Sequence, residues 1–306
     1  MPAEQEKENI TICTVNWHSY DFIQKLSENL SAKAQFKEKL TFLIIDNTNG
    51  EDKKIYSLQN TIPSVKIAKN DAKSLSGSRG HACGLNLAMS MINTKYALLT
   101  DPDVHIFKNH WDIFLIDILN QNNILTAGTT YPQWQLGKYH NFPNPVFCFF
   151  KTHDFLKLQP DWMPFTENAL LLMWDFIRRN FLRLGILINR KTYENCAFVR
   201  KVWPIFEKLT GVCSKDTGWK IAEKAEKYHL KSVLFKAVSP DETVPESRSD
   251  AFKTLARQFE LYYYSNEPIL THKYSTCSAV WKTQKGSDTN FWRQCIDEFN
   301  KYIVAG

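Results

Sequence analysis

Residues 95–103 read Lys-Tyr-Ala-Leu-Leu-Thr-Asp-Pro-Asp, an apolar run that passes without a spacer into two carboxylates. A short run with no polar alternation is the pattern of a strand covered on both faces, as in a parallel sheet. Pro102 fixes its own φ and ends the run, so Asp101 and Asp103 sit just past the strand tip. Two acids one residue apart place hard oxygen ligands where a divalent cation would bridge them to a diphosphate. A solvated turn is the plainer alternative, since Asp and Pro are ordinary turn residues. The preceding strand decides for a site, because open α/β sheets bind ligands beyond the carboxyl ends of their strands.

Working outward, the same pattern recurs. Residues 10–16 (ITICTVN), 41–46 (TFLIID), 64–68 and 124–128 read as strands. Between them the apolar positions fall at helical spacing: Phe22, Ile23, Leu26 and Leu30 over 20–30, then Ala82, Leu85, Ala88, Met89 and Ile92 over 79–92. Residues 110–121 form one more helical stretch. Strands alternating with helices of about a dozen residues predict an α/β fold, with a mostly parallel central sheet flanked by helices. Asn16, Asp46, Asp101 and Asp103 end three of these strands and converge on one site. Beyond residue 130 the pattern loosens. A strand is expected at 145–151, helices at 161–212, 216–230, 251–264 and 289–303, and a loop at 239–250. Tyr131, Trp134, Tyr139 and His140 cluster where the pattern breaks. They suit either a platform for sugar rings or packing beneath a loop.

The 306 residues are 43% hydrophobic and 23% charged, an ordinary globular mixture. The net charge of +6 suits a phosphate-bearing ligand or an anionic surface. No Lys/Arg run is interleaved with aromatics, so nucleic acid is set aside. Seven cysteines, odd in number and never spaced CxxC, fit free thiols rather than a disulfide framework or a zinc site. The N-terminus, MPAEQEKEN, is polar and acidic, unlike a signal peptide, and a cytoplasmic protein is expected. The apolar stretch 169–188 contains Asp175, Arg178, Arg179 and Arg183, and a charge at a bilayer centre costs about 3 kcal/mol. It does not span. Either it packs on the core, or it lies as an amphipathic helix on the inner face of a membrane with Arg178, Arg179, Arg183, Arg190 and Lys191 toward headgroups.

Four segments in order carry a resemblance. They are Thr14-Val15-Asn16 at the first strand tip, Asp46-Asn47 at the second, residues 76–81 (SGSRGH) with Asn86 at a helix start, and residues 98–103 (LLTDPD). Over its first ~130 residues the chain resembles a family-2 type GT-A glycosyltransferase. The resemblance implies a nucleotide-diphosphate sugar donor, a UDP-sugar first, and a hydroxyl acceptor on a glycan, a lipid-linked molecule or another compound. It implies Mn²⁺ or Mg²⁺ as cofactor and an inverting displacement. Residues 1–160 would form the donor-binding core, and 161–306 a helical elaboration on the acceptor side carrying the remaining catalytic elements.

Residue roles follow from the same likeness. Thr14 and Asn16 would line the base pocket, and Asp46 would hold the nucleobase or ribose. Asp101 would face the ribose or the metal's water shell, with Asp103 ligating the metal. His272 resembles a late histidine that completes the metal site, and imidazole is a fitting ligand beside carboxylate. Its alternative is an ordinary hydrogen-bonded histidine. Arg79 would touch the diphosphate or the sugar; otherwise Arg79 and His81 simply face solvent at a helix start. Asp216, in Asp216-Thr217-Gly218-Trp219, would be the base that takes the acceptor's proton, or else a helix cap. His105 and His110 read as surface residues. A nucleotidyltransferase is one rival, but residues 16–20 (NWHSY) lack the glycine of a phosphate loop after the first strand. A catalytically silent binding protein on the same fold is the other.

Overall fold

The computed structural model describes residues 9–305, apart from residues 63, 73, 76, 122, 136–137, 165–172, 174–194, 211–215 and 274–288. The run 10–16 forms β1 (Ile10–Asn16), buried along its whole length. Successive side chains of a strand point to opposite faces. Ile10 and Ile12 accordingly meet Leu26 and Leu30 of the Tyr20–Lys33 helix on one side. Cys13 and Val15 meet Ala82, Leu85 and Ala88 of the Gly77–Met91 helix on the other. Both faces are covered, which is why the run carries no charge and is buried along its length.

Parallel pairing joins β1 to β2 (Leu40–Asp46) and β4 (Tyr96–Thr100), and β2 to β3 (Val65–Lys69). With β5 (Val104–Ile106), β6 (Ile124–Thr129), β7 (Phe147–Lys151), β8 (Lys231–Ala237), β9 (Glu260–Tyr264) and β10 (Glu267–His272), they make one sheet in the order β3-β2-β1-β4-β7-β6-β8-β9-β10-β5. The protein is therefore mixed α/β.

The sheet is less parallel than the sequence suggests. β7 runs antiparallel to both β4 and β6, and β8, β9, β10 and β5 pair antiparallel in succession. Between β6 and β7 the described residues form no helix, and a parallel return would need a crossover. The helix expected over 251–264 stops at Gln258, and residues 260–264 form β9. Ser265 and Asn266, with φ of 50° and 64°, close a two-residue hairpin into β10. The C-terminal half is thus not a helical elaboration alone, since β8, β9 and β10 extend the same sheet. The Asp250–Gln258 and Thr289–Ala305 helices pack there around Phe252, Leu255, Phe259 and Phe299.

Of the basic segment 161–212, the Ala197–Thr210 helix is seen. Residues 174–194, with Arg178, Arg179, Arg183, Arg190 and Lys191, lie outside the described residues, as do Cys213 and Cys277. None of the five described cysteines is joined in a disulfide to another described residue. Among the described residues, no helix is long and apolar enough to cross a membrane.

Candidate functional site

Strand order reverses between β1 and β4. The chain leaves β1 toward β2 and β3 on one side and returns to β4 on the other, the place where such sheets open a crevice. A cleft of about 450 Å³ lies there. Val15 and Trp17 from the end of β1, Asn47 from the end of β2, and Asp101, Pro102 and Asp103 from the end of β4 line it. Gly77, Gly80 and His81 from the start of the Gly77–Met91 helix close the remaining side. Trp17 is about half exposed at this wall, an unusual setting for a tryptophan.

Asp101, Asp103 and His272 gather at the rim, with one ligand atom from each within 4.8 Å of the others. They come together because β5 follows Asp103 directly and pairs with β10, placing His272 opposite Val104. The Lys273 amide donates to the Asp103 carbonyl at 3.0 Å and closes the corner. His272 Nε2 lies 3.2 Å from Asp103 Oδ1 and 3.7 Å from Asp101 Oδ2. Its Nδ1 donates to Glu260 Oε2 at 2.9 Å. On the outer side, His81 Nε2 lies 3.3 Å from Asp101 Oδ1.

Burial pushes the Asp101 carboxyl up, and the neighbouring imidazoles only partly offset it. At Asp103 burial acts in the same direction, but His272 outweighs it and the carboxyl is held low. Burial disfavours the His272 imidazolium, yet Asp103 and Glu260 together raise its pKa well above the usual range. Two carboxylates and one imidazole, the latter held from behind by a third carboxylate, form a donor set of oxygen and nitrogen that could hold a divalent cation.

The other expected residues are placed differently. Asp46 is fully buried and accepts from Asn16 Nδ2, Thr48 N, Thr48 Oγ1, Gly50 N and Tyr56 Oη. Burial alone would raise its pKa, but these donors outweigh it and hold the carboxyl low. Both oxygens are engaged in shaping the turn after β2, and it is the adjacent Asn47 that lines the cleft. Asn16 is likewise consumed, donating to Asp46 and Asp52 and accepting from the Ser19 amide. Thr14 is buried within β1, and its hydroxyl has no hydrogen-bond partner among the described residues. Arg79 is exposed on the first turn of the Gly77–Met91 helix, outside the cleft's lining. His81, two residues on, is turned inward to Asp101 and not to solvent. Asn86 faces away, holding Asp161 and the Trp162 amide.

Asp216 is paired with Lys138 and accepts from the Thr217 amide at 2.8 Å. Burial acts to raise its pKa, but Lys138, with help from Thr217 and the Ser78 hydroxyl, holds it below the usual carboxylate range. Ser78 belongs to the helix turn that closes the cleft, so Asp216 stands beside that wall. It does not cap the following helix, Trp219–Lys227, whose N-cap is Gly218 at φ 87°. A Cβ at Gly218 would lie 2.8 Å from Tyr139 Oη and 2.9 Å from the Trp162 ring, so only glycine fits this turn. Tyr139 Oη donates to the Thr217 carbonyl at 2.6 Å. Trp134 and Tyr139 are buried, which favours packing over a sugar platform for these two. His105 is not a loop surface residue but sits in β5, half-buried, its ring edge-on to Phe107. His110 is exposed, as expected.

Sequence reasoning overlooked Glu260 and underrated His81. Helical spacing could have found His81, since it lies one turn before Leu85 on the same helix. Glu260 carries no motif, and only the pairing of β9 with β10 brings it to His272.

No protein-family model and no curated protein sequence matches the chain. Similar solved structures include the mannosyltransferase PcManGT from Pyrobaculum calidifontis in complex with GDP-Man and Mn²⁺. It is 13% identical with a TM-score of 0.44, over 81% of this chain and 60% of that one. They also include S. aureus TarS 1–349 in complex with UDP-GlcNAc, 14% identical with a TM-score of 0.37, over 51% of this chain and 48% of that one. The same TarS fragment with UDP gives 15% identity and a TM-score of 0.38, over 51% and 50%. The chain thus spans 60% of the mannosyltransferase's length and about half of TarS 1–349. Activity and substrate rest on the site's own geometry.

Proposed function

We propose that the protein is a GT-A glycosyltransferase that moves a sugar from a nucleotide-diphosphate donor, a UDP-sugar first, to an acceptor hydroxyl with inversion, using Mn²⁺ or Mg²⁺. One observation carries the proposal: Asp101, Asp103 and His272 converge at the rim of a cleft built on the carboxyl ends of β1, β2 and β4. A divalent cation bound there neutralises the charge that develops on a departing diphosphate. Asp103 and His272 are assigned to hold it, with Asp101, braced by His81, facing its water shell or the ribose. Trp17 offers a flat apolar face to the nucleoside, beside the backbone of residues 14–16, while Asn47 holds the cleft wall together, donating to the Gly80 carbonyl at 2.8 Å and accepting from Asn70 Nδ2 at 2.7 Å. Arg79, exposed at the helix start and outside the cleft's lining, would have to reach over the rim to touch the diphosphate or the sugar.

Asp216 is assigned as the base. A base must be ionised to take a proton from a hydroxyl, and Lys138 keeps it so. Residues 1–160 then hold the donor, while 161–306 supply His272 and Asp216 and shape the acceptor side. The acceptor is a glycan, a lipid-linked molecule or another hydroxyl compound, and a peripheral contact of the basic segment with a membrane would suit a lipid-linked one.

The test is calorimetric. UDP should bind the protein in the presence of Mn²⁺, and Asp103→Ala should remove that binding. Equal affinity and metal dependence in the variant would overturn the assignment. The Lys138–Asp216 pair favours one second reading, a binding protein without turnover. Nucleotide binding with neither transfer nor hydrolysis of any nucleotide sugar would select it.

A further inference from the structure

We infer that Glu260 is the positioning residue that fixes His272 as a metal ligand, with Gln135 and Tyr262 fixing Glu260 in turn. The inference rests on the reading of Asp103 and His272 as ligands and extends it one shell outward. Glu260 is 4% exposed and lies directly across the β9–β10 ladder from His272. Its carboxyl oxygens act here as acceptors, taking bonds from Gln135 and Tyr262. Its bond to His272 Nδ1 therefore commits that nitrogen as the donor and leaves Nε2 to bind a cation. Nε2 is also the nitrogen that faces Asp103 and Asp101.

The carboxylate is itself immobilised. Gln135 Nε2 donates to Oε1 at 2.9 Å, and Tyr262 Oη donates to Oε2 at 2.8 Å. Thr271 Oγ1 donates to the Glu260 carbonyl at 2.8 Å, tying the two strands beside the pair. The imidazole cannot turn about its χ2 without breaking the Glu260 bond in a buried site. A histidine held this way loses little freedom on metal binding, and its basicity toward the metal is raised. Gln135 lies in the loop that also carries Lys138, the partner of Asp216. The same loop thus reaches both the metal side and the base side.

The experiment titrates the full chain with Mn²⁺ alone and reads free Mn²⁺ by electron paramagnetic resonance. Glu260→Ala should weaken Mn²⁺ binding by about 10- to 100-fold. Glu260→Gln, which can still accept from Nδ1, should recover part of that loss. In a His272→Ala background the Glu260→Ala change should have no further effect, because its action passes through the imidazole. An affinity within about twofold of the parent, or an equal loss in both backgrounds, overturns the inference. Should Glu260→Ala fail to fold, Tyr262→Phe removes a single hydroxyl and should weaken Mn²⁺ several-fold; an unchanged affinity there overturns it as well. Asp103→Ala separates the two levels. If it leaves Mn²⁺ affinity intact, the metal site itself is refuted and Glu260's role with it. If Asp103→Ala abolishes binding while Glu260→Ala does not weaken it, only the positioning role is refuted.

Discussion

Asp46 and Asp216 are both acids at the edges of the site, and their surroundings give them different work. Asp46 accepts five hydrogen bonds, three from the turn after β2 and one each from Asn16 and Tyr56. Asp46→Ala would strand those donors in a buried place, at about 1–3 kcal/mol for each left unsatisfied. The variant should lose at least about 3 kcal/mol in urea unfolding. Unchanged stability with lost nucleotide affinity would instead make Asp46 a direct contact. Asp216 is held low by Lys138, so its charge stabilises the fold above the unfolded carboxyl's pKa of about 4. That contribution is lost as pH falls through the still lower folded value. Lys138→Met removes the counter-charge, and the acid limb of the kcat/KM profile should move to higher pH. Asp216→Asn should lower kcat by about 10²- to 10⁴-fold while UDP binding stays within twofold. A pH profile that ignores Lys138→Met would separate Asp216 from the chemistry. Asp101, Asp103 and His272 were legible because strand-end acids and a late histidine follow from local sequence and resemblance. Glu260 was not, because its role depends on strand register, which no local pattern encodes.

At the level of elements, the strands covered on both faces were the readable ones. β1, β2 and β4 are runs with almost no polar interruption, and their observed bounds agree with the apolar stretches to within a residue. β8 is half-exposed, with lysines at Lys231 and Lys236, and has no such signature. β9 follows a helix after a single residue, and Tyr262 and Tyr263 extend the three- and four-residue spacing of Phe252, Leu255 and Phe259, so the helical pattern runs on in the sequence. The signal that breaks it is Ser265-Asn266, two residues able to take positive φ between β-forming stretches. β6 and β7 also carry a constraint that composition alone does not reveal. A Cβ added at Gly128 would lie 2.0 Å from the Phe147 carbonyl oxygen, a backbone atom that cannot swing aside. Gly128→Ala should therefore force β6 from β7 and destabilise by at least about 2 kcal/mol, measured by urea unfolding. A neutral result would mean that the two strands can separate freely.

Across the whole molecule, the candidate metal-binding constellation joins residues that are distant in sequence. Asp101 and Asp103 follow β4, whereas His272 ends β10, and the β5–β10 pairing at one edge of the sheet brings them together. The unfolded chain has no such site, so a cation and nucleotide bound there stabilise the native state by mass action. At 100 times its dissociation constant a ligand contributes about 2.7 kcal/mol. For a chain of this size that corresponds to a rise in Tm of a few degrees. UDP with Mn²⁺ should raise Tm by this much, and UDP with excess chelator should not. Asp103→Ala should respond to neither addition, while Asp216→Asn, which leaves the donor side intact, should respond as the parent does. The two variants should differ because Asp103 is assigned to the metal, whereas Asp216, which accepts from Ser78 at the helix turn, is assigned to the acceptor. If Asp216→Asn lost the shift as fully as Asp103→Ala, that division of the site would be wrong, and Asp216 would belong with the donor.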